Sequence, residues 1–322
     1  MRRTHVLILC CCFVPAALRL PADETIPSAK LVEELTRPFQ LDNPRAAEER
    51  FYVSATVMTK VFTDGKKQPA GAIHLYLQAA PGKKQADGKT AFQYSCRRLQ
   101  IERADGTKVT VPDLEKFTYQ IEPGVDAKNQ VMGIEHARFL KLKDSSGKSL
   151  DFVEPYFVYN TFIDFHAFND VMASVALRRL GDSAAVGTAQ EIPVHLGDTI
   201  QEGSVYRLGD PRARLDGIGL VNKKPTAVVS FDSGDSSFLM KLAPQPQMKL
   251  ATQGYSRFGG IVQVDLASNW PALCRWQEIV VSETKKDGKA LPGGDQMMIR
   301  VGTITALAKE DFDRQVQKAA AP

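Results

Sequence analysis

The chain lacks the residue patterns that mark most enzymes and cofactor sites. Its 322 residues contain no His-Glu-x-x-His, no Gly-x-Ser-x-Gly, no Gly-x-x-x-x-Gly-Lys-Ser/Thr phosphate loop and no Cys-x-x-Cys. These absences count against a zinc peptidase, an α/β-hydrolase, a nucleotide-binding loop and a thiol redox site. We therefore expect no cofactor and no metal.

A strong excess of charge of one sign is also lacking. The formal net charge is only +4, and the lysines come in pairs within turn-like stretches. No basic stripe alternates with aromatic residues, as nucleic-acid-binding surfaces require. We expect no nucleic-acid partner.

Only the N-terminus carries a long apolar run. Arg2 and Arg3 precede an apolar stretch from Val6 to Leu18, and small residues follow up to Ala22. This layout is typical of a secretory signal peptide, and the run is too short to anchor the chain in a bilayer. We expect residues 1–22 to be a signal peptide, cleaved after Ala16 or Ala22. The chain is then exported, to the periplasm or the outside, with no membrane span left after cleavage.

Cysteine is scarce once the signal peptide is removed. Cys96 and Cys274 remain, each inside a strand-like run and far apart in sequence. In an oxidising compartment they could form a disulfide, and otherwise they pack as small apolar residues. The sequence leaves both alternatives open.

Short apolar runs separated by turn residues dominate the rest of the chain. They predict a mainly β fold, an antiparallel meander forming a sandwich or a curved half-barrel-like sheet, with a few short helices. Asp-Gly pairs such as Asp105-Gly106 are typical of tight type I′ hairpin turns. We expect a β-rich region over residues 23–185 with an N-terminal and a central helix, and a second over 186–322. The two regions could also form one continuous domain.

Helical patterns are few. Residues 28–36 combine a Ser cap with helical spacing before Pro38, and residues 166–180 give the best central helix. A further short helix is expected near the C-terminus.

One short stretch, Ala227 to Leu242, raises the question of catalysis. It reads AVVSFDSGDSSFLMKL, with a strand before Asp232-Ser233-Gly234. This turn resembles the active-site turn of pepsin-like and retroviral-type aspartic peptidases. The resemblance implies that Asp232 would share a proton with a second carboxylate and activate a water molecule. It covers about ten residues, no second such turn occurs, and Asp235 follows the glycine.

The same stretch has a structural interpretation. Ala227, Val229 and Phe231 alternate on one strand, and Phe238, Met240 and Leu242 alternate on the next. The residues between them are those that turns prefer. On this interpretation, the segment is a β-hairpin of two core strands.

A third candidate is the aromatic segment around "FIDFHAFND". On a strand, Asp164 and His166 would project to the same face, where they could bind a ligand or do acid-base chemistry. Among so many aromatic residues, His166 could equally be a hydrogen-bonded group of the core.

The sequence therefore favours an exported, non-enzymatic binding or envelope-associated protein of unknown partner. A curved sheet with an aromatic inner face can hold an apolar ligand, as exported lipoprotein carriers do, and residues 156–168 could line or plug such a cavity. An envelope component is the other expected partner. The alternative is an acid-peptidase-like hydrolase that uses Asp232.

Overall fold

A computed structural model provides the structure of the chain. It describes residues 45–62, 65–84, 90–121, 136–151, 154–174, 179–186, 191–194, 200–245 and 247–319. These residues all lie within one compact unit, Pro38–Pro322. The expected signal peptide and the expected helix at residues 28–36 lie outside the described residues. The division into regions at residue 185 stays a prediction.

Fifteen strands account for most of the described residues. Their bounds are β1 Arg50–Val61, β2 Lys67–Lys84, β3 Thr90–Glu102, β4 Lys108–Thr110, β5 Thr118–Ile121, β6 Ser183–Ala185, β7 Glu191–Pro193, β8 Val205–Arg207, β9 Arg212–Val221, β10 Lys224–Asp232, β11 Ser236–Gln245, β12 Met248–Asp265, β13 Pro271–Lys286, β14 Lys289–Ala290 and β15 Gln296–Leu307. Within the described ranges, the α-helices are α1, Glu154–His166, and α2, Lys309–Lys318. Neither is both long and apolar enough to cross a membrane.

All fifteen described strands belong to one sheet. Its main order is β4-β3-β2-β1-β15-β13-β12-β10-β9-β6, and neighbouring strands in this order are antiparallel. The first half is the meander expected from the sequence, and the predicted mainly β class with few helices is confirmed. Of the two predicted architectures, the structure has an open sheet rather than a sandwich of two sheets.

The predicted hairpin between β10 and β11 is wrong. Both strands pair with β12, β10 along residues 259–265 and β11 along residues 248–256. Together they form one interrupted strand on the same edge of β12, because Ser233 bonds to Phe258 through both its backbone and its hydroxyl. The predicted alternation is nevertheless present, since Ala227, Val229 and Phe231 are buried.

The neighbouring strand in the sheet, on the side away from β12, is interrupted beside this break. β8 and β9 follow each other along the outside of β11 and β10, with Gly209 at the break. A side chain at Gly209 would lie 2.6 Å from the carbonyl oxygen of Ser233. The two breaks therefore pack against each other, and the polar Asp-Ser-Gly residues interrupt the strand rather than reverse the chain.

The sheet curves around the central helical segment. Phe165 in α1 contacts Tyr94 of β3 at 6.0 Å between ring centroids, and Phe168 stacks on Phe231 of β10 at 5.7 Å. Six strand steps separate β3 from β10, which is about 29 Å on a flat sheet. Since Phe165 and Phe168 are about 4.5 Å apart along a helix axis, both strands can reach them only on a concave face.

The central helix begins earlier than the sequence pattern indicates. It was expected over residues 166–180, but α1 runs over Glu154–His166 and continues as a π-helical turn, Ala167–Val171, and a 3₁₀ turn, Met172–Ser174. Pro155 lies in its first turn, where a missing N–H costs nothing. Because α1 is enclosed by the sheet and loops, apolar residues occur all around it, and no amphipathic period marks it.

The Asp105-Gly106 turn also differs from expectation. Arg103 and Thr107 flank a three-residue loop in which only Gly106 has positive φ, 83°. A type I′ turn needs positive φ at both central residues. Asp287-Gly288, with φ of 50° and 80°, meets that condition between β13 and β14.

The two faces of the sheet are covered differently. The inner face packs against α1 and the turns that follow it, and its residues form the main core. On the outer face, α2 covers one end, where Phe312 packs against Phe51 and Tyr76. The rest of the outer face of β1, β15, β13 and β12 has no described element over it, and several large apolar side chains there are exposed.

Cys96 and Cys274 are both free and buried in the main core. Burial raises the pKa of each thiol. Of the two alternatives that the sequence left open, the structure has packed thiols.

Residue 302 is a glycine because the ring of Trp276 leaves no room there for a side chain. A Cβ at residue 302 would lie 2.1 Å from Cε2 of Trp276, whose ring packs over this position from the neighbouring strand. We predict that Gly302→Ala lowers the free energy of unfolding by about 1–3 kcal/mol, through overpacking. The matched control is Gly217→Ala, because nothing lies within 4 Å of a Cβ there. Urea denaturation measures both variants, and equal stabilities would contradict this packing.

Candidate functional site

His166 lies in a buried polar cluster at the C-terminal end of α1. Its Nδ1 is 2.5 Å from Oδ2 of Asp170, and its Nε2 is 2.8 Å from the hydroxyl of Tyr119. An ionised carboxylate can only accept, so Nδ1 donates to Asp170, while Nε2 forms a hydrogen bond with the Tyr119 hydroxyl. The ring also lies edge-on to Tyr94, with centroids 4.7 Å apart.

Arg45 completes this cluster from the N-terminal side of β1. Its guanidinium donates to Oδ1 of Asp170 at 2.7 Å and lies 4.7 Å from the centre of the Trp270 ring. Trp270 in turn donates through Nε1 to the carbonyl oxygen of Ala46, at 2.9 Å. The N–H of Ala46 also donates to the carbonyl oxygen of Ser268 at 2.9 Å. Residues 45–46 are thereby fixed against the interior by an ion pair, a cation–π contact and two hydrogen bonds.

The buried negative charge of Asp170 is compensated by Arg45 and by the hydrogen bond from His166. Burial alone would raise the pKa of Asp170, but Arg45 and the hydrogen bond from His166 outweigh burial and hold it below its usual value. Asp170 and His166 are each about 1% exposed. The Tyr119 hydroxyl, the His166 imidazole and the Asp170 carboxylate form a hydrogen-bonded chain that could transfer a proton. A substrate could reach this chain only by entering a packed aromatic core. We interpret the cluster as structural.

Asp164 does not join His166. The two residues were expected on one face of a strand, but on α1 residues two apart point to nearly opposite sides. Asp164 accepts a hydrogen bond from Arg300 of β15, which also donates to Glu278 of β13 at 2.5 Å. Burial raises the pKa of Asp164 to about 6, although Arg300 opposes that shift. The expected ligand-binding pair is thus divided between two buried ion-pair networks.

Metal ligands do not converge in the part of the chain that the structure describes. No group of three or more His, Cys, Asp or Glu side chains there could hold a metal ion. His74 is half-buried, and burial lowers its pKa.

Asp232 lies at the break between β10 and β11 and is 48% exposed. Its Oδ2 accepts from both Nε and Nη2 of Arg257 at 3.1 Å, and its Oδ1 accepts from the N–H of Gly234 at 2.8 Å. Asp235 contacts the same guanidinium at 3.4 Å. These two carboxylates therefore share an arginine, whereas the aspartic-peptidase arrangement needs two carboxylates that share a proton. The catalytic role of Asp232 stays a prediction that this geometry does not favour.

The candidate binding site is a cavity on the outer face of the sheet, with a volume of about 780 Å³. We call it the outer pocket. Its lining residues come from β1, β8, β11, β12, β13 and β15 and from the residues that flank them. They are Val61, Phe62, Val205, Arg207, Ser237, Phe238, Leu239, Gln253, Gly254, Tyr255, Val281, Ser282, Glu283, Asp295, Gln296 and Met297.

Strand register shows on which face the outer pocket lies. Side chains alternate along a strand, so directly paired residues share a face. One line of paired residues crosses seven strands: Lys67, Val61, Met297, Val281, Tyr255, Ser237 and Arg207. Tyr206, which faces the other way from β8, does not line the cavity. The outer pocket therefore opens on the side opposite to α1.

Exposed apolar groups are concentrated at the outer pocket. Tyr255 is 69% exposed and Val281 51% exposed, and the two are directly paired. Ile279, Val301 and Val57 continue this apolar surface over β13, β15 and β1. Contiguous exposed apolar area of this kind marks binding or interaction surfaces in soluble proteins.

Sequence reasoning missed the outer pocket, although a signal was present. The run Ile279-Val280-Val281 is apolar at consecutive positions, and so is apolar on both faces of β13. A strand with one solvated face should alternate instead. Arg45 was missed because nothing in its sequence surroundings distinguishes it from a surface arginine.

Comparisons with known proteins identify no relatives. No protein-family model matches the chain, and no curated protein matches it. Among solved structures, the chain is 8% identical to OmpT, an outer membrane protein of Vibrio cholerae, both in vitro folded and as a loop L8 deletion mutant. The match covers 80% of this chain and 99% of each OmpT chain, with a TM-score of 0.21. Salmonella typhi OmpF in complex with daunomycin is also 8% identical, over 80% of this chain and 97% of that one, with a TM-score of 0.19. TM-scores of this size do not indicate a shared fold.

Arg45 and Arg257 give a direct test of the structural interpretation. We predict that Arg45→Met lowers the free energy of unfolding by about 3–5 kcal/mol, because it leaves the Asp170 carboxylate buried without its cation. The matched control, Arg257→Met, removes an exposed ion pair and should cost less than about 1 kcal/mol. Urea denaturation checks both. Similar losses in the two variants would show that Arg45 is not part of a compensated core.

Proposed function

We propose that this chain is an exported, non-enzymatic binding protein of the cell envelope, and that it holds an apolar ligand in the outer pocket. The observation that carries the proposal is the pairing of Val281 with Tyr255 inside a cavity of about 780 Å³, with both side chains largely exposed. That volume lies within the range of small-molecule sites, which are concave and mostly apolar. Export is supported by the signal-peptide pattern of residues 1–22.

The chemistry of the lining favours binding over catalysis. Glu283 forms an ion pair with Lys285 at 2.8 Å, and this contact lowers the pKa of the Glu283 carboxyl. The other charged lining groups, Arg207 and Asp295, come from β8 and from the residue before β15. The lining thus offers an apolar floor with charged groups around it, which suits a ligand with an apolar body and a polar end.

The inner face is a less suitable place for the ligand. Residues 156–168 were expected to line or plug a cavity between sheet and helix. Phe162, Phe165 and Phe168 are each at most 3% exposed and pack against rings from the sheet. They fill the concave face, so a ligand there would have to displace core side chains.

The experiment is a titration of the protein with a fatty acid that carries an environment-sensitive fluorophore. We predict that Val281→Asp weakens binding by about tenfold or more, because it places a charge in the apolar floor. The matched control is Leu220→Asp, at a residue that is 47% exposed on β9 and does not line the outer pocket. It should bind as the unsubstituted protein does. Equal binding by all three proteins, or loss in both variants, would contradict the assignment of the ligand to this pocket.

A further inference from the structure

Lysines are numerous at the end of the sheet where the outer pocket lies. This end consists of the β1–β2 connection, the β11–β12 connection and the long β13–β15 hairpin, over residues 60–67, 245–250 and 281–296. The described residues of these stretches include seven lysines: Lys60, Lys66, Lys67, Lys249, Lys285, Lys286 and Lys289. They include three acidic residues, Glu283, Asp287 and Asp295. We call this set of lysines the lysine rim.

Exposed apolar side chains lie at the same end of the sheet as the lysine rim. Phe62, Tyr255, Val281 and Leu291 are all exposed at the same end of the sheet. In the line of paired residues across the outer face, Lys67 lies at one end and Arg207, which is ion-paired with Glu191 at 3.5 Å, at the other, with mostly apolar residues between them. The cations therefore flank the apolar surface rather than cover a separate part of the molecule.

This combination matches the chemistry of an anionic lipid surface. Aromatic and aliphatic side chains enter the boundary between headgroups and acyl chains, and tyrosine is favoured there because its ring is apolar and its hydroxyl polar. Lysines beside them keep their charged ends at the level of the anionic headgroups. Membrane binding by such a surface combines apolar burial with electrostatic attraction.

We propose that this end of the sheet docks on an anionic lipid bilayer. The proposal goes beyond the pocket assignment, since docking does not require that the outer pocket hold a ligand. It would nevertheless place the opening of the outer pocket at the membrane surface. The occupant that we infer is the lipid surface itself, and a protein partner is the alternative that the experiment must exclude.

Flotation with vesicles tests the proposal on the protein purified after export. One set of vesicles contains phosphatidylcholine alone, and a second set contains phosphatidylcholine and phosphatidylglycerol. We expect the unsubstituted protein to float with the anionic vesicles and to stay behind with the neutral ones. We expect Lys249→Gln/Lys286→Gln/Lys289→Gln to bind the anionic vesicles about 100-fold more weakly, at about fivefold for each lysine.

A matched triple variant controls for total charge. Lys84→Gln/Lys224→Gln/Lys318→Gln also removes three exposed lysines, but from the opposite ends of the strands and from α2. It should bind the anionic vesicles as the unsubstituted protein does. Circular dichroism and thermal unfolding of both triple variants confirm that they fold.

Three outcomes would overturn the docking proposal. These are equal losses in the two triple variants, equal flotation with neutral and anionic vesicles, and no flotation with either, which would leave a protein as the partner of this surface. The pocket assignment is tested separately, because the rim variant should still bind the fluorescent fatty acid in the absence of vesicles, whereas Val281→Asp should not.

Discussion

The packing of one aromatic helical segment against the inner face of the sheet is the constraint on which the rest of this structure depends. Phe165 contacts β3 and Phe168 contacts β10, strands that a flat sheet would hold about 29 Å apart. The sheet must therefore curve around the segment. The segment is positioned in turn by its buried charges, since Asp170 is held by Arg45 and His166, and Asp164 by Arg300.

This arrangement determines where a ligand can bind. The concave side of the sheet is filled by phenylalanine rings, and two ion pairs there, Arg45–Asp170 and Arg300–Asp164, would be costly to break. The outer face of β1, β15, β13 and β12 is less covered, and α2 protects only one end of it. At the other end, apolar side chains line the outer pocket, and the lysine rim lies at the same end of the sheet. Binding on the convex side of a sheet whose concave side is full is the central claim of this account.

The sequence indicated the class of fold well and the site poorly. Alternation in Ala227, Val229 and Phe231 predicted a core strand, and Asp-Gly pairs marked chain reversals, because these signals depend on neighbouring residues only. The hairpin at Asp232 was wrong because the partner of both flanking strands, β12, lies further along the chain. The start of α1 was missed because a buried helix has no amphipathic period. Neither Arg45 with Asp170 nor Tyr255 with Val281 could be paired without the strand order, since each pair joins residues far apart in sequence.

Photolabelling tests the central claim most directly. A fatty acid with a diazirine near the end of its acyl chain can be bound to the protein, activated by light, and located by mass spectrometry of the labelled peptides. The account predicts labels on the peptides that contain Tyr255 and Val281, on the outer face of β12 and β13. Labels concentrated in residues 154–174 would contradict it, because they would place the ligand between the sheet and the helix.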